Sequence, residues 1–314
     1  MRVGAIDVGS NSIRLLIAEV PNGEGGALHA VLRAGEACRL GRGLDRTGRI
    51  EPDMQERAAD LAAEFVRRSR SLGVRRVVIG ATAALRSATN GDEVAARIEE
   101  RSGVPVRILT GDEEARLVYE AVVFGFGAMA WRSPAVVFDL GGGSTEVVSG
   151  LGKLPGRWAS LPFGAVTLTE KFLGNSPPTL AEEEALVAYV DDRLMHQCAY
   201  MPTETPLLAG VGGTVTVLAA LDRGITNYDP SLLEGWLIES PRLDDLVHRI
   251  VRSTEAERRN WAILGHGRSD IVAAGALVVG CLARRFPSRG LMCSTQGLRY
   301  GLARLALTDG HPLG

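Results

Sequence analysis

Two glycine-rich turns of similar sequence each follow an apolar run that ends in an aspartate. The first copy reads VGAIDVGSNSIRLLIAEV from Val3, and the second reads AVVFDLGGGSTEVVSGL from Ala135. Asp7 and Asp139 occupy matching places in the two copies, 132 residues apart (139 − 7). Each copy predicts a strand, a turn and a second strand, and the self-similarity indicates a duplicated structural unit.

The two predicted hairpins contain groups that bind phosphate. Glycine lets the backbone approach a ligand closely, and successive N–H groups in a turn form a concavity that binds anions. Hydroxyl and amide side chains add donors, and an aspartate at a strand end suits Mg²⁺ held partly through water. Two such hairpins can grip one phosphate chain with a metal between them. The candidate phosphate ligands are Asn11, Ser12, Gly142, Gly143 and Ser144, and the candidate metal ligands are Asp139, Glu146 and Asp7.

Two further segments add candidate phosphate ligands. The sequence GVGGT at 210–214 joins a predicted strand to a predicted helix, and such a turn can aim the N-terminus of the helix at an anion. Many such turns serve tight packing alone, but the two hairpins before it favour phosphate binding by Gly212, Gly213 and Thr214. Arg86 follows a predicted strand, where its guanidinium can clamp phosphate; a surface salt bridge is the alternative.

The elements that position these residues alternate between strand and helix. A helical period of apolar residues covers 53–70, and Asp112 is predicted to cap a helix that continues to about Phe124. Thr179 and Glu182 have the spacing of a capping box. Alternation of this kind predicts an α/β protein with parallel sheets covered by helices.

The composition is that of a protein with a substantial core and little net charge. The chain has 314 residues, of which 46% are hydrophobic, and its formal net charge is −2. That length favours two domains, and the charge excludes the basic field of a non-specific nucleic-acid binder. The N-terminal apolar run is broken by Asp7 and is neither a signal peptide nor a membrane span, so we expect a cytoplasmic protein. The scattered cysteines Cys38, Cys198, Cys281 and Cys293 are expected to be buried and reduced.

The motifs together resemble those of the exopolyphosphatase / guanosine pentaphosphate phosphohydrolase family in its short two-domain form. The resemblance covers almost the whole chain. Its specific segments are DVGSNSIRLL (7–16), LGRGLDRTGRI (40–50), ATAALRSATN (81–90), GDEEARLVYEAV (111–122), DLGGGSTEVV (139–148) and GVGGT (210–214), and its weaker segments are NYDP (227–230), RSDIVAAGAL (268–277) and STQGLRYGL (294–302).

The resemblance implies two actin-like (ribonuclease H-like) domains with an active cleft between them, at 1–125 and 126–296. The helix at 297–308 is expected to pack back on the first domain. Members of the family hydrolyse terminal phosphoanhydride bonds with Mg²⁺, for which Mn²⁺ is an alternative. The C-terminal helical domains of longer members are not expected here, which puts processive hydrolysis of long chains in doubt.

The resemblance also assigns Glu114, the second glutamate of GDEEARL, as the general base. Its place in the first turn of a helix favours the ionised carboxylate, which can accept a proton from water. The alternative is that Glu113 and Glu114 are only charges at a helix N-terminus. Arg116 and Arg268 match motif arginines and are equally compatible with structural and substrate-path roles.

Four functions remain open at this point. The first is an exopolyphosphatase, and the second is a phosphohydrolase of guanosine pentaphosphate, since both substrates need the same phosphate grip. The third is a kinase or ATPase that binds ATP through GVGGT, and the fourth is a polyphosphate or alarmone-binding protein without turnover. The expected partner is therefore polyphosphate or a phosphorylated guanine nucleotide, with no nucleic acid and no membrane, and the family suggests a homodimer.

Overall fold

The chain forms two compact units. The computed structural model describes residues 1–20, 28–127, 130, 132–203, 207–264 and 267–307. Residues Met1–Leu117 with the C-terminal helix make the first unit, and Val118–Gly297 make the second. The division falls inside the helix Gly111–Phe126, ahead of the boundary predicted at 125. The predicted domain limits stay a prediction, and residue 308 of the predicted C-terminal helix lies outside the described residues.

The first unit is built on a five-stranded mixed sheet. Its strand order is β3-β2-β1-β4-β5. The pairs β3-β2 and β2-β1 are antiparallel, and the pairs β1-β4 and β4-β5 are parallel. The strands are β1 (Arg2–Val8), β2 (Ser12–Glu19), β3 (His29–Ala37), β4 (Arg76–Ala81) and β5 (Val106–Ile108), and the helices are α1 (Leu44–Thr47), α2 (Pro52–Ser71), α3 (Ala83–Ser87), α4 (Gly91–Ser102) and α5 (Gly111–Phe126).

The second unit is built on a six-stranded mixed sheet of order β10-β11-β9-β6-β7-β8. Its strands are β6 (Pro134–Leu140), β7 (Thr145–Leu151), β8 (Leu154–Leu161), β9 (Leu207–Val211), β10 (Leu237–Glu239) and β11 (Gly290–Cys293). The helices are α6 (Ala165–Phe172), α7 (Leu180–Gln197), α8 (Gly213–Arg223), α9 (Pro230–Leu233), α10 (Ser240–Arg252), α11 (Glu255–Arg259) and α12 (Val272–Arg285), with a short 3₁₀ helix at Ala262–Leu264. The last helix, α13 (Leu298–Leu307), packs on β1, β2 and β4 of the first unit.

The internal repeat extends through both sheets. Five strands of the second sheet, in the order β8-β7-β6-β9-β11, reproduce the order and pairing directions of β3-β2-β1-β4-β5. The third strand of each hairpin unit was not predicted from the sequence. Both sheets are mixed, whereas parallel sheets were predicted. Each sheet is parallel on one side only, because the duplicated hairpin adds antiparallel strands on the other side.

Helices cover the sheets with apolar side chains. Every residue of α12 from Val272 to Leu282 is buried, so this apolar segment is a core helix. The four cysteines are free and buried, as predicted. Within the described residues, no helix has the length and apolar character that crossing a membrane requires.

The predicted helix caps are confirmed at one position and wrong at another. Thr179 and Glu182 form the predicted capping box at the start of α7. Asp112 does not cap α5, because the helix begins one residue earlier and Thr110 takes that role. The Thr110 hydroxyl accepts from the Glu113 N–H at 3.2 Å, and the Glu113 carboxylate accepts from the Thr110 N–H at 2.9 Å.

Candidate active site

The turn between β1 and β2 is closed by one backbone hydrogen bond and held from behind by the loop after β3. The Gly9 N–H donates to the Ser12 carbonyl at 3.1 Å. The Gly41 N–H donates to the Ser10 carbonyl at 2.8 Å, and the Cys38 N–H donates to the Asn11 carbonyl at 3.0 Å. Because each N–H points opposite to the preceding carbonyl in a trans peptide, the N–H groups of Asn11 and Ser12 point away from this loop.

The turn between β6 and β7 has the same design. The Gly141 N–H donates to the Ser144 carbonyl at 3.0 Å, the bond equivalent to that between Gly9 and Ser12. The carbonyls of Gly141 and Gly142 accept from the N–H groups of Ala165 and Val166 at the start of α6, both at 2.9 Å. The N–H groups of Gly142 and Gly143 therefore point away from α6. Each turn thus presents two successive amides on one side, which is the geometry of an anion-binding concavity.

The two hairpins differ in the residue opposite the aspartate. Asp139 pairs in register with Glu146 across β6 and β7, whereas Asp7 pairs with Arg14 across β1 and β2. Residues opposite each other in an antiparallel pair lie on the same face, with Cβ atoms about 5 Å apart. The second hairpin therefore carries two adjacent carboxylates, and in the first the Arg14 guanidinium offsets the single carboxylate.

The surroundings of Asp7 oppose its ionisation in part. Burial raises the pKa of Asp7 above its ordinary value, while the guanidinium groups of Arg14 and Arg299 act in the opposite direction. The positive charges of two nearby arginines offset the negative charge of the carboxylate and weaken its attraction for a divalent cation. Asp7 as a metal ligand stays a prediction, and the carboxylate pair of the second hairpin fits a cation better.

Glycines lie beside both carboxylate oxygens of Asp139. A Cβ added at Gly212 would lie 3.5 Å from Oδ1, and one added at Gly297 would lie 3.7 Å from Oδ2. Glu146 is buried, and its Oε1 accepts from the Ser160 hydroxyl at 2.9 Å. The two carboxylates are hard oxygen donors of the kind that Mg²⁺ prefers.

Two carboxylates are a sufficient protein contribution for Mg²⁺. Within the described part of the chain, no group of three or more histidine, cysteine, aspartate or glutamate side chains is arranged to hold a metal. Mg²⁺ commonly binds through one or two carboxylates and completes its shell with water and substrate phosphate. Asp139 and Glu146 would hold it in this way.

The third glycine turn lies next to Asp139. Gly212 has φ 109°, a conformation that favours glycine, and a Cβ there would lie 2.5 Å from the Leu140 carbonyl. Helix α8 begins at Gly213. A Cβ added at Gly213 would lie 3.3 Å from Cζ of Arg268. The Arg268 guanidinium therefore lies beside the third glycine turn. The sequence did not predict this proximity, because Arg268 belongs to a motif, RSDIVAAGAL, that is only weakly specific and lies far from the turn along the chain.

Thr214 occupies a more enclosed position than expected. It is buried, and a Cβ added at Gly275 of α12 would lie only 2.2 Å from its Oγ1. The hydroxyl therefore packs against α12 at a point where only glycine fits. Phosphate binding by Thr214, as by the other candidate ligands, stays a prediction.

Arg86 and Glu114 meet at the carboxyl ends of β4 and β5. These parallel neighbours are followed by α3 and α5, so residues at the starts of the two helices come together. Nη1 of Arg86 donates to Oε2 of Glu114 at 3.0 Å and to the Leu109 carbonyl at 2.8 Å. Glu114 is buried, whereas the Arg86 side chain is 26% exposed.

The neighbouring acid Glu113 has a separate, structural task. Partial burial raises its pKa, but hydrogen bonds from Thr110 and Arg107 outweigh this and hold the pKa below its ordinary value. Its carboxylate is committed to the helix cap, while that of Glu114 points to Arg86. The two adjacent glutamates are therefore not equivalent, and only Glu114 stands at the strand ends where a ligand is expected.

The duplicated sheets, each with a glycine turn between its two central antiparallel strands, define an α/β protein of the actin-like class. Comparison with known proteins makes the assignment specific. A model of the Ppx/GppA phosphatase family matches residues 16–307, and the chain belongs to this family of phosphatases.

Relatives with similar sequences and structures support this membership. The chain is 36% identical over 295 residues to Exopolyphosphatase 2 of Mycobacterium tuberculosis, covering 92% of each chain. It is 29% identical over 308 residues to Exopolyphosphatase 1 of Mycobacterium bovis, covering 96% of this chain and 87% of that one. The crystal structure of the Aquifex aeolicus member of the Ppx/GppA family superposes with a TM-score of 0.83 at 30% identity, covering 99% of both chains.

Proposed function

We propose that this chain is an exopolyphosphatase that uses Mg²⁺ to hydrolyse the terminal phosphoanhydride bond of inorganic polyphosphate. The observation that carries the proposal is the buried Glu114 carboxylate, oriented by Arg86 and distinct from the capping Glu113. The names of the two mycobacterial relatives support the substrate. The paired amides of each glycine turn support binding of a phosphate chain.

The residues of this chain divide the work as follows. Amides of the two turns and the guanidinium of Arg86 hold phosphoryl oxygens. Asp139 and Glu146 would hold Mg²⁺, which would neutralise charge on the phosphate. Glu114 orients a water molecule and accepts its proton. The water oxygen forms a bond to the terminal phosphorus while the bond to the bridging oxygen breaks, which releases orthophosphate and a chain shorter by one unit. Positioning and electrostatic stabilisation supply most of the acceleration.

The test measures released phosphate from purified protein with Mg²⁺ and polyphosphates of defined short and long length. Guanosine pentaphosphate and ATP are assayed in parallel. We expect release from polyphosphate that is lost in Glu114→Ala and retained in the matched control Glu113→Gln. Because neither variant touches the sheets, both are expected to keep the wild-type circular dichroism spectrum.

Other outcomes would replace the proposal. Release from guanosine pentaphosphate alone would make the chain a nucleotide phosphohydrolase. Binding of ATP without polyphosphate turnover would favour the kinase or ATPase alternative, and binding of polyphosphate without any release would indicate a sensor. A Glu114→Ala variant with wild-type kcat would refute the assignment of the base. The homodimer and the cytoplasmic location stay predictions.

A further inference from the structure

Four exposed arginines lie together at the end of α2, and we name them the arginine patch: Arg67, Arg68, Arg70 and Arg75. Among the residues that the structure describes, none of the four forms an ion pair. The acid nearest in the helix is Glu64, which is also exposed and is not paired with Arg67 or Arg68. The patch is therefore a concentration of unneutralised positive charge.

A tight turn brings the fourth arginine to the other three. The Gly73 N–H donates to the Arg70 carbonyl at 3.0 Å, and the Val74 N–H donates to the Ser69 carbonyl at 3.1 Å. The chain reverses there and enters β4 at Arg76. Arg2 lies at the edge of the patch, where its Nη1 donates to the Leu72 carbonyl at 3.2 Å, but its charge is paired with Glu19 at 3.0 Å and is not counted in the patch.

Helix stabilisation does not account for this arrangement. Cations in the last turn of a helix interact favourably with its dipole, and Arg68 and Arg70 occupy that turn. Arg75 lies beyond the helix end and gains nothing from the dipole. Four like charges without partners repel one another, so a ligand that carries several negative charges would stabilise the patch.

The chemistry of the patch selects a polyanion without bases. Arginine forks match phosphate oxygens, but residues 67–76 contain no aromatic side chain. Binding of single-stranded nucleic acid normally uses aromatic platforms on which bases stack. An inorganic phosphate chain has no bases, so positively charged side chains are sufficient to bind it.

We propose that the arginine patch is a second binding site for polyphosphate, at which a long chain is held while its end is hydrolysed. This inference rests on the proposed function. Val3 pairs with Arg76 and Asp7 pairs with Gly80, so the patch and the Asp7 turn lie at opposite ends of β1, about 13 Å apart along the strand. Only a chain long enough to pass around the unit occupies both sites, and simultaneous occupancy raises the effective concentration of its end.

The experiment compares wild type with the triple variant Arg67→Gln, Arg68→Gln and Arg75→Gln, using phosphate release from long polyphosphate and from tripolyphosphate. We expect KM for the long chain to rise about tenfold, with kcat and the KM for tripolyphosphate unchanged. The matched control replaces Arg242, Arg259 and Arg289 by glutamine. These lie on the second unit and pair with acids, so the net charge changes equally and KM is expected to stay constant.

Direct binding separates this inference from the proposed function. Fluorescence anisotropy with end-labelled long polyphosphate is measured on the wild type and on both triple variants, in the absence of Mg²⁺. Weaker binding only in the patch variant supports the second site even if no substrate is hydrolysed. Equal binding by all three proteins overturns it, as does patch-dependent binding of single-stranded DNA that exceeds the binding of polyphosphate.

A second inference comes from Glu234, which follows α9 and holds the loop after β11. Its Oε1 accepts from the Ser294 hydroxyl at 3.0 Å. Its Oε2 accepts from the N–H and the hydroxyl of Thr295 at 2.6 and 2.7 Å. A single carboxylate thus fixes two successive residues of the segment that ends at Gly297, beside Asp139.

The same loop is tied to the strand that leads to the third glycine turn. The Ser294 N–H donates to the Gly210 carbonyl at 2.9 Å, and the Gln296 N–H donates to the Ser294 hydroxyl at 3.1 Å. Gly297 therefore sits in a loop with little freedom to move toward or away from Oδ2 of Asp139. We infer that Glu234 is a positioning residue, which holds Gly297, a residue without a side chain, beside the Asp139 carboxylate that would bind the metal in the proposed function.

The test uses Glu234→Ala, the conservative Glu234→Gln and the control Glu239→Gln, a change at an exposed acid of β10. In Glu234→Ala we expect kcat and the Mg²⁺ affinity measured by calorimetry to fall about 10- to 100-fold. Gln still accepts a hydrogen bond from the Thr295 N–H, so Glu234→Gln is expected to retain most of both. The calorimetric readout does not depend on which substrate is hydrolysed.

Thermal unfolding distinguishes positioning from general stability. If Glu234→Ala binds Mg²⁺ with wild-type affinity well below its melting temperature, the positioning role is wrong. The same conclusion follows if Glu239→Gln loses as much affinity as Glu234→Ala. A weak-binding Glu234→Ala that remains fully folded supports the inference.

Discussion

Oε2 of Glu114 lies 3.0 Å from Nη1 of Arg86, and the same nitrogen also donates to the Leu109 carbonyl. The pair joins the residue proposed to accept the proton with a residue proposed to hold phosphate. A guanidinium with several donors can contact a carboxylate and a phosphoryl oxygen together. The relationship therefore makes separate predictions for each partner.

Replacing Glu114 by glutamine tests proton acceptance without changing shape. The amide oxygen can still accept a hydrogen bond from Arg86, but it cannot take a proton from water. We expect kcat for phosphate release to fall about 10²- to 10⁴-fold, with a melting temperature close to that of the wild type. Steady-state kinetics and thermal unfolding of the same preparation check both parts. A variant that kept wild-type kcat would exclude proton transfer to this residue.

Replacing Arg86 by alanine is expected to affect stability as well as activity. Glu114 stays buried but loses its cation, and breaking a fully buried pair costs about 3–5 kcal/mol. Because the Arg86 side chain is partly exposed, we expect a loss of about 2 kcal/mol in the free energy of unfolding. The double variant Arg86→Ala with Glu114→Gln should recover part of the lost free energy of unfolding, because it no longer buries a carboxylate without Arg86. Urea denaturation of all four proteins measures the coupling, and strictly additive losses would mean that the pair contributes no interaction energy.

Gly297 offers a test of the space beside Asp139. A Cβ there would make ordinary contacts of 3.6 Å with Val211 and 3.7 Å with Oδ2 of Asp139. Gly297→Ala should therefore fold normally but cover one carboxylate oxygen. We expect Mg²⁺ affinity to fall about tenfold or more, measured by calorimetry. The control Gly280→Ala lies in α12 of the second unit, where the added Cβ makes only ordinary contacts of 3.5 Å with Arg284 and 3.8 Å with Val247. Unchanged affinity in Gly297→Ala would show that this oxygen is not used.

The cysteine thiols should be unreactive in the native protein. Burial raises the pKa of Cys38 and Cys198 to about 11 and that of Cys281 to about 12. A raised pKa keeps the thiol protonated at pH 8, and the thiolate is the reactive form. With Ellman's reagent at pH 8 we expect no rapid reaction of these thiols in buffer and rapid reaction of all four cysteines in guanidinium chloride. Fast labelling of the native protein would contradict their burial.

Glu182 should make stability depend on pH in the acid range. Hydrogen bonds from the N–H groups of Thr179 and Gly174 lower its pKa from 4.5 to about 2. A lowered pKa means that the stabilisation is fully present above pH 4.5 and is lost as the pH falls toward 2. Glu182→Gln should therefore be less stable than the wild type at pH 7, and the difference should vanish near pH 2. Denaturant titrations at several pH values measure this, with the exposed Glu184→Gln as control.

The sequence predicts the site where local pattern determines structure. Asp7 and Asp139 stand at matching strand ends because the apolar runs before them form central strands, and the glycine turns follow directly. The α/β class and the actin-like fold are confirmed. The edge strands β3 and β8 were not predicted, because their half-exposed residues lack the apolar run that marks a buried strand.

Contacts between distant segments could not be read from local pattern. The pairing of Glu114 with Arg86 depends on the parallel neighbours β4 and β5, and the approach of Gly297 to Asp139 depends on β11 lying beside β9. The N-cap of α5 was misplaced because Asp112 and Thr110 are both good capping residues. Only the position of the first helical hydrogen bond decides between them.

The register of the two hairpins has a consequence for how such a protein could arise. A gene that encoded one half would have supplied two identical sheets after duplication, each with the same ion preference. At the position opposite the aspartate, this chain has Arg14 in one half and Glu146 in the other. Since the backbone pairing is the same, ion preference can diverge between duplicated halves through one side chain while the ancestral architecture is preserved.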